Sequence, residues 1–170
     1  VANANYVKRV VFPLQILPVV ALGSALFHML AGLAVLVVFI IIVHGLPPPT
    51  AVLLPLVLAP YCLAILGLAW LLASLGVFIR DINQVLAPIV TALMFLSPIF
   101  FPLDALPESV RRWVAFNPLA LPVEQTRDVL IAGTMPNFVA LGLYTLAAIV
   151  VAVLGYLWFQ KTRKGFADVL

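Results

Sequence analysis

The sequence predicts an all-α, polytopic integral membrane bundle with a re-entrant amphipathic hairpin before its last span. Three observations predict it. Hydrophobic residues make up 65% of the chain and charged residues 9%, with a mean hydropathy of +1.24, whereas soluble domains carry roughly 25% charged residues. Several apolar runs reach the length of about 20 residues that crosses a bilayer as a helix. Between Ser97 and Gly133, by contrast, Pro98, Pro102, Pro107, Pro118 and Pro122 cut the chain into short pieces. There Asp104, Glu108, Arg111, Arg112, Glu124, Arg127 and Asp128 supply charges that are scarce elsewhere.

The chain opens on a mixed segment, Val1 to Leu17. Asn3, Asn5, Lys8, Arg9 and Gln15 interrupt Val10, Val11, Phe12 and Ile16, and Pro13 and Pro18 break it. This reads as an interfacial segment facing the cytoplasm. The first span covers 19–43, where the only ionisable side chain is His28. Near the bilayer centre such a group is either a functional candidate or a neutral imidazole bonded to a neighbouring helix. Pro47-Pro48-Pro49 closes the span, because successive prolines cannot continue a helix. The second span covers 51–79, with a kink expected at Pro55 and Pro60.

Arg80-Asp81-Ile82-Asn83 is a tight polar turn, and a third, shorter apolar run covers 85–101. The insert at 103–133 follows. Pro107 is suited to open a helix in which Val110, Trp113 and Val114 share one face and Arg111 and Arg112 turn away. That helix stops before Asn117-Pro118, since the residue ahead of proline avoids helical backbone. Pro122 opens a second helix with Glu124 and Arg127 three apart, ending at Gly133. The pair reads as a re-entrant hairpin or as a loop on the headgroups; irregular backbone is tolerated at membrane depth only where protein or water covers it. The last span covers 138–159, and Lys161, Arg163 and Lys164 form a basic stop before a tail 160–170 carrying Asp168.

Lysine and arginine orient the bundle. Lys8, Arg9, Arg80, Lys161, Arg163 and Lys164 fall on one side, which is the cytoplasmic one by the positive-inside rule. Arg111, Arg112 and Arg127 fall on the other side, in the company of Asp104, Glu108, Glu124 and Asp128. Small residues at four-residue spacing, Ala21 and Ala25, Ala69 and Ala73, Ala148 and Ala152, offer sites where helices approach closely.

Composition also excludes function classes. The apolar runs are too many and too long for a signal peptide, whose core is about 7 to 15 residues. Basic residues sit at the ends of spans rather than along one face, so nucleic-acid binding is not expected. Cys62 is the single cysteine, so no internal disulfide can form. Ser24, Ser74, Thr91, Ser97, Thr145 and His28 lie in apolar runs without an acidic partner, and no metal spacing is present. The phosphate-binding pattern G-x-x-x-x-G-K-[ST] does not occur, so any ATP hydrolysis belongs to a separate subunit. The aromatic residues Phe95, Phe100, Phe101, Trp113 and Phe116 gather around the insert. They form either an interfacial belt or the lining of a passage for sugar rings.

Several motifs stand in a telling order: Asn5-Tyr6-Val7-Lys8-Arg9-Val10-Val11-Phe12-Pro13 with Ile16-Leu17-Pro18, then Phe78-Ile79-Arg80-Asp81-Ile82. Ser97-Pro98-Ile99-Phe100-Phe101, Asn117-Pro118 and Gly165-Phe166-Ala167-Asp168-Val169-Leu170 follow. In this order the chain resembles the permease subunits of ABC-2 type exporters of lipid-linked polysaccharides such as O-antigen, capsule and teichoic acid. The resemblance implies a non-enzymatic transport subunit, multi-pass in the bacterial cytoplasmic (inner) membrane. Its partners would be a separate ABC ATPase, a second copy of the permease, membrane lipids and the polysaccharide substrate. The chain itself would hold no cofactor, ATP and magnesium being bound by the ATPase.

Asn5, Lys8, Arg9, Phe12, Pro13, Arg80 and Asp81 would then be ATPase-coupling residues. Ser97, Pro98, Phe100, Phe101, Trp113, Phe116, Asn117, Pro118 and Arg127 would form the outer gate and channel lining. Complete members usually have six spans, so the resemblance also implies an amphipathic helix and two spans ahead of Val1. Export of a drug or small lipid, and a non-transport membrane scaffold, are the alternatives.

Overall fold

A computed structural model describes residues 14–79, 81–101 and 103–166, and the regular elements among them are all helical. Helix α1, Ile16–His44, is 29 residues long and ends at Gly45. That glycine adopts φ 87° while its N–H closes on the Ile41 carbonyl. A 3-10 turn at Pro49–Leu53 leads into α2, Leu54–Phe78, which has Pro55 in its opening turn, where a missing N–H costs nothing. Pro60 lies inside α2 and is buried. Helix α3 is Ile82–Phe95, α4 is Glu108–Ala115 and α5 is Ala120–Arg127. A π-helical turn, Asp128–Ala132, continues α5 and ends at Gly133 with φ 69°, the left-handed backbone that glycine adopts freely. Helix α6, Phe138–Thr162, is capped by the Asn137 side chain, which accepts from the Ala140 N–H.

Among the described residues, three helical stretches are long and apolar enough to cross a membrane: Ile16–His44, Pro49–Phe78 and Phe138–Gly165. The third apolar run behaves differently. Its helix, α3, has 14 residues, about 21 Å at 1.5 Å per residue, short of a hydrocarbon core of about 30 Å. It stops because the Leu96 and Ser97 N–H groups turn back onto Ala92 and Met94 carbonyls, and Pro98 has no N–H with which to continue.

The bundle is organised by the crossing of α2 and α6. Gly67 meets the backbone of Val151 and Ala152 so closely that a Cβ on it would fall 2.6 Å from the Ala152 Cα. A Cβ on Gly155 would collide with the Gly67 carbonyl oxygen. Ala148, Ala152, Gly155 and Phe159 form the buried side of α6. In lipid, where apolar surface gains little by leaving its solvent, such backbone-to-backbone approach is what holds helices together. Of the small-residue pairs, Ala148 and Ala152 lie in this crossing, whereas Ala21 and Ala25 are exposed, as is Ala73.

Helix α1 stands largely apart, with only Pro18 and Ile40 buried, one near each end. Ile40 joins Val57, Val129 and Leu130 in a small apolar cluster. His28 is exposed, and its Nδ1–H donates to the Ser24 carbonyl one turn earlier at 2.8 Å, so the partner is its own helix and not a neighbouring one.

Contacts sort the two ends of the bundle. At one end Gln15 meets Arg163, and Phe78 and Phe166 rings lie edge to face at 5.9 Å. At the other, Thr50 Oγ1 donates to the Val129 carbonyl at 2.8 Å and Pro48 lies against Gly133. The insert is therefore at the end opposite Lys161, Arg163 and Lys164, as the charge-based orientation requires.

Candidate gate at the insert end

The insert is fastened to the end of α3 by two side chains. Asn117, buried in the turn between α4 and α5, donates from Nδ2 to the Leu93 carbonyl at 2.8 Å and accepts from the Leu119 N–H at 3.0 Å. Arg127, at the last position of α5, donates from Nη2 to the Pro98 carbonyl at 2.7 Å. Both acceptors are carbonyls at or just past the C-terminus of α3, where carbonyls lack helical partners and the helix dipole favours a cation. Arg111 Nε donates to the Leu103 carbonyl at 3.2 Å, and the Tyr144 hydroxyl of α6 donates to the Pro118 carbonyl at 3.0 Å. Proline thus exposes carbonyls here, and polar side chains from α4 to α6 satisfy them.

Ser97 and Pro98 are fully buried beneath this fastening. The Ser97 hydroxyl and Gln125 Oε1 are buried with no hydrogen-bond partner among the described residues, while Gln125 Nε2 donates to the Asn137 carbonyl at 3.1 Å. Ser97, Pro98 and Arg127 are therefore brought together, as are Asn117 and Pro118 around the end of α3. The aromatic candidates are placed differently. Phe100 is exposed and stacks on Phe95, centroids 5.7 Å apart and planes 21° apart. Phe101 is half-buried. Trp113 and Phe116 are 80% and 84% exposed.

Of Val110, Trp113 and Val114, which the sequence placed on one face of α4, only Val114 is buried. Arg111 on this eight-residue helix and Asn117 just after it both donate to carbonyls. With Glu108, Ser109 and Arg112, the two exposed aromatics line an open groove of about 750 Å³. A second groove of about 290 Å³ lies between α4 and α3, among Leu93, Leu96, Val110 and Val114.

Of the coupling candidates, Asn5, Lys8, Arg9, Phe12, Pro13 and Arg80 lie outside the described residues. Asp81 is exposed, just ahead of α3. Gln125 and Tyr144 are not among the gate residues expected from the sequence. Asn137, directly before an apolar run, carries a readable capping signal, whereas nothing local marks Gln125.

Residues 1–131 match the sequence family described as ABC-2 type transporter. The chain belongs to the ABC-2 type transporter family. It is a multi-pass protein of the inner membrane. Curated relatives are two O-antigen export system permease proteins RfbA from Klebsiella pneumoniae, 27% and 23% identical over 172 residues, covering 100% of this chain and 66% of each relative. A third, the O-antigen export system permease protein RfbA of Myxococcus xanthus, is 26% identical over 96% of this chain and 64% of its own length. This ABC-2 chain thus spans just under two thirds of the relatives it matches.

Sidedness can be checked directly at the groove. Ser109, exposed on α4, replaced as Ser109→Cys in a Cys62→Ser background, should react with an impermeant thiol reagent added outside intact cells. Labelling only after the inner face is opened would reverse the topology.

Proposed function

We propose that this ABC-2 chain is the membrane-spanning subunit of an ATP-driven exporter of lipid-linked polysaccharide, O-antigen or a related capsule or teichoic acid polymer. The observation that carries the proposal is its alignment, across the whole chain, with permeases named for O-antigen export. Two copies would work with two copies of a separate ABC ATPase, which binds ATP and magnesium. The chain supplies a passage, with no covalent chemistry. ATP-driven closure of the ATPases would act on the segment holding Asn5, Lys8, Arg9, Phe12 and Pro13 and on the Arg80-Asp81 turn, and shift the spans.

The insert would serve as the outer gate. The fastening of Asn117 and Arg127 to carbonyls near the end of α3 supports this reading, since α3 follows directly on the Arg80-Asp81 turn and its far end holds the hairpin. A movement of α3 along its axis then reaches Ser97, Pro98 and Pro118 without an intervening loop. Exposed Trp113 and Phe116 on the groove, and Phe100 and Phe101 just ahead of the insert in the chain, offer aromatic faces on which the apolar C–H faces of sugars stack.

The test is export from vesicles holding the complete permease and its ATPase. Wild type should move the polysaccharide only with ATP, and Arg9→Ala with Phe12→Ala should lower export by at least about tenfold, the effect of about 1.4 kcal/mol of lost coupling, with insertion unchanged. Export that survives the double substitution removes the docking role. ATP-driven movement of a small lipid or drug, and none of the polysaccharide, would establish the alternative substrate class.

A further inference from the structure

Gln15 ties three helices together at the end of the bundle away from the insert. Its Oε1 accepts from Arg163 Nη1 at 2.8 Å and from Gln160 Nε2 at 3.4 Å, at the end of α6. Its backbone carbonyl accepts from the Trp70 indole N–H of α2 at 3.0 Å. The loop of contacts closes on itself: the Trp70 ring stands against Tyr156 with centroids 5.1 Å apart, and Gln160 Nε2 donates to the Tyr156 hydroxyl at 2.6 Å. A second tie between α2 and α6, Ser74 Oγ to Thr162 Oγ1 at 2.6 Å, lies beside it.

Position makes this more than local packing. Gln15 is the residue directly ahead of α1, and α1 has only Pro18 and Ile40 buried along its 29 residues. Among the described residues, a force on the chain ahead of α1 enters the bundle near Gln15 or travels along α1 to Ile40. A glutamine suits the first route. Its amide oxygen accepts from both Gln160 and Arg163, so one side chain reaches two donors of α6 and its end.

We propose that Gln15 is a positioning residue that couples the segment ahead of α1 to α2 and α6, so that the starts and ends of these helices move as one body. This rests on the ATP-driven reading above. An apolar residue at 15 would keep the bond from its backbone carbonyl to Trp70 of α2 but lose the direct tie of its side chain to α6, so α1 would follow α6 less closely.

The tie and the transport are measured separately on the complete permease with its ATPase. Nitroxide labels replace Val20 of α1 and Leu157 of α6, both exposed, in a Cys62→Ser background. Their separation should be narrow in wild type and stay so when ATP is added, whereas Gln15→Leu should broaden it. In vesicles Gln15→Leu should lower polysaccharide exported per ATP hydrolysed about three- to tenfold, which is about 0.7–1.4 kcal/mol and falls within the range of coupling residues. ATP hydrolysis and the amount inserted should not change. Gln15→Glu, which keeps the acceptor, should restore both readouts, and Trp70→Phe, which removes only the indole donor, should give a smaller loss of the same kind.

Equal label separations in wild type and Gln15→Leu overturn the tie, whatever is transported. A Gln15→Glu protein as defective as Gln15→Leu also overturns it, as does poor insertion of Gln15→Leu with Trp70→Phe at the wild-type ratio. A wild-type complex that moves no polysaccharide overturns the functional reading instead, and the label separations still decide the tie.

Discussion

Gly67→Ala should prevent the bundle from assembling, although it adds a single methyl group. The new Cβ would lie 2.6 Å from both the Cα and the N of Ala152 and 2.7 Å from the carbonyl carbon of Val151. All three are backbone atoms, so no side-chain rotamer can relieve the clash. The two helices must separate along the crossing and lose the contacts of Ala148, Ala152 and Gly155 with them. Overpacking a well-packed core costs about 1–3 kcal/mol, and a forced separation of α2 from α6 belongs at or above the top of that range. Gly155→Ala should act alike, because its Cβ would strike the Gly67 carbonyl oxygen. Gly142→Ala, on α6 with nothing within 4 Å of its added carbon, should be nearly neutral or slightly stabilising through helix propensity. Thermal unfolding in detergent compares the three. A Gly67→Ala protein that melts with wild type would show that this crossing does not hold the fold.

Arg127→Met combined with Asn117→Ala should release the insert from the end of α3. Each substitution strips a buried or half-buried carbonyl, of Pro98 or Leu93, of the donor that reaches it at 2.7 or 2.8 Å. Leaving such a group unpaired costs about 1–3 kcal/mol, and more at membrane depth, where water is not at hand. Methionine keeps much of the arginine stem, so lost packing does not dominate. If the insert is the gate, vesicles holding the double variant should conduct ions without ATP at least about tenfold above wild type, the effect of about 1.4 kcal/mol. Arg127→Lys should fall between, because a single ammonium replaces the planar fork. Vesicles that stay tight while export is unchanged would make the insert a surface loop.

The fold class was legible in composition and in the lengths of apolar runs, because partition between water and lipid is set by each run's own residues. Glycine marked the end of the insert's second helix for an equally local reason, as Gly133 shows, whereas α3 stopped at Phe95, ahead of Pro98 and short of the expected run 85–101. The motif order from Asn5 to Leu170 carried the family, and the basic residues at Lys161, Arg163 and Lys164 set the expected orientation. What the tertiary structure alone decided is which residues meet. Gly67 against Gly155, Gln15 against Arg163, and Arg127 against the Pro98 carbonyl are pairs far apart in the chain, and no periodicity marks them. The outward turn of Trp113 and Phe116 was decided in the same way. In a membrane the apolar pattern says that a helix is buried in lipid but not which side faces protein. That choice falls to close backbone approach and to the few polar groups whose hydrogen bonds must be made.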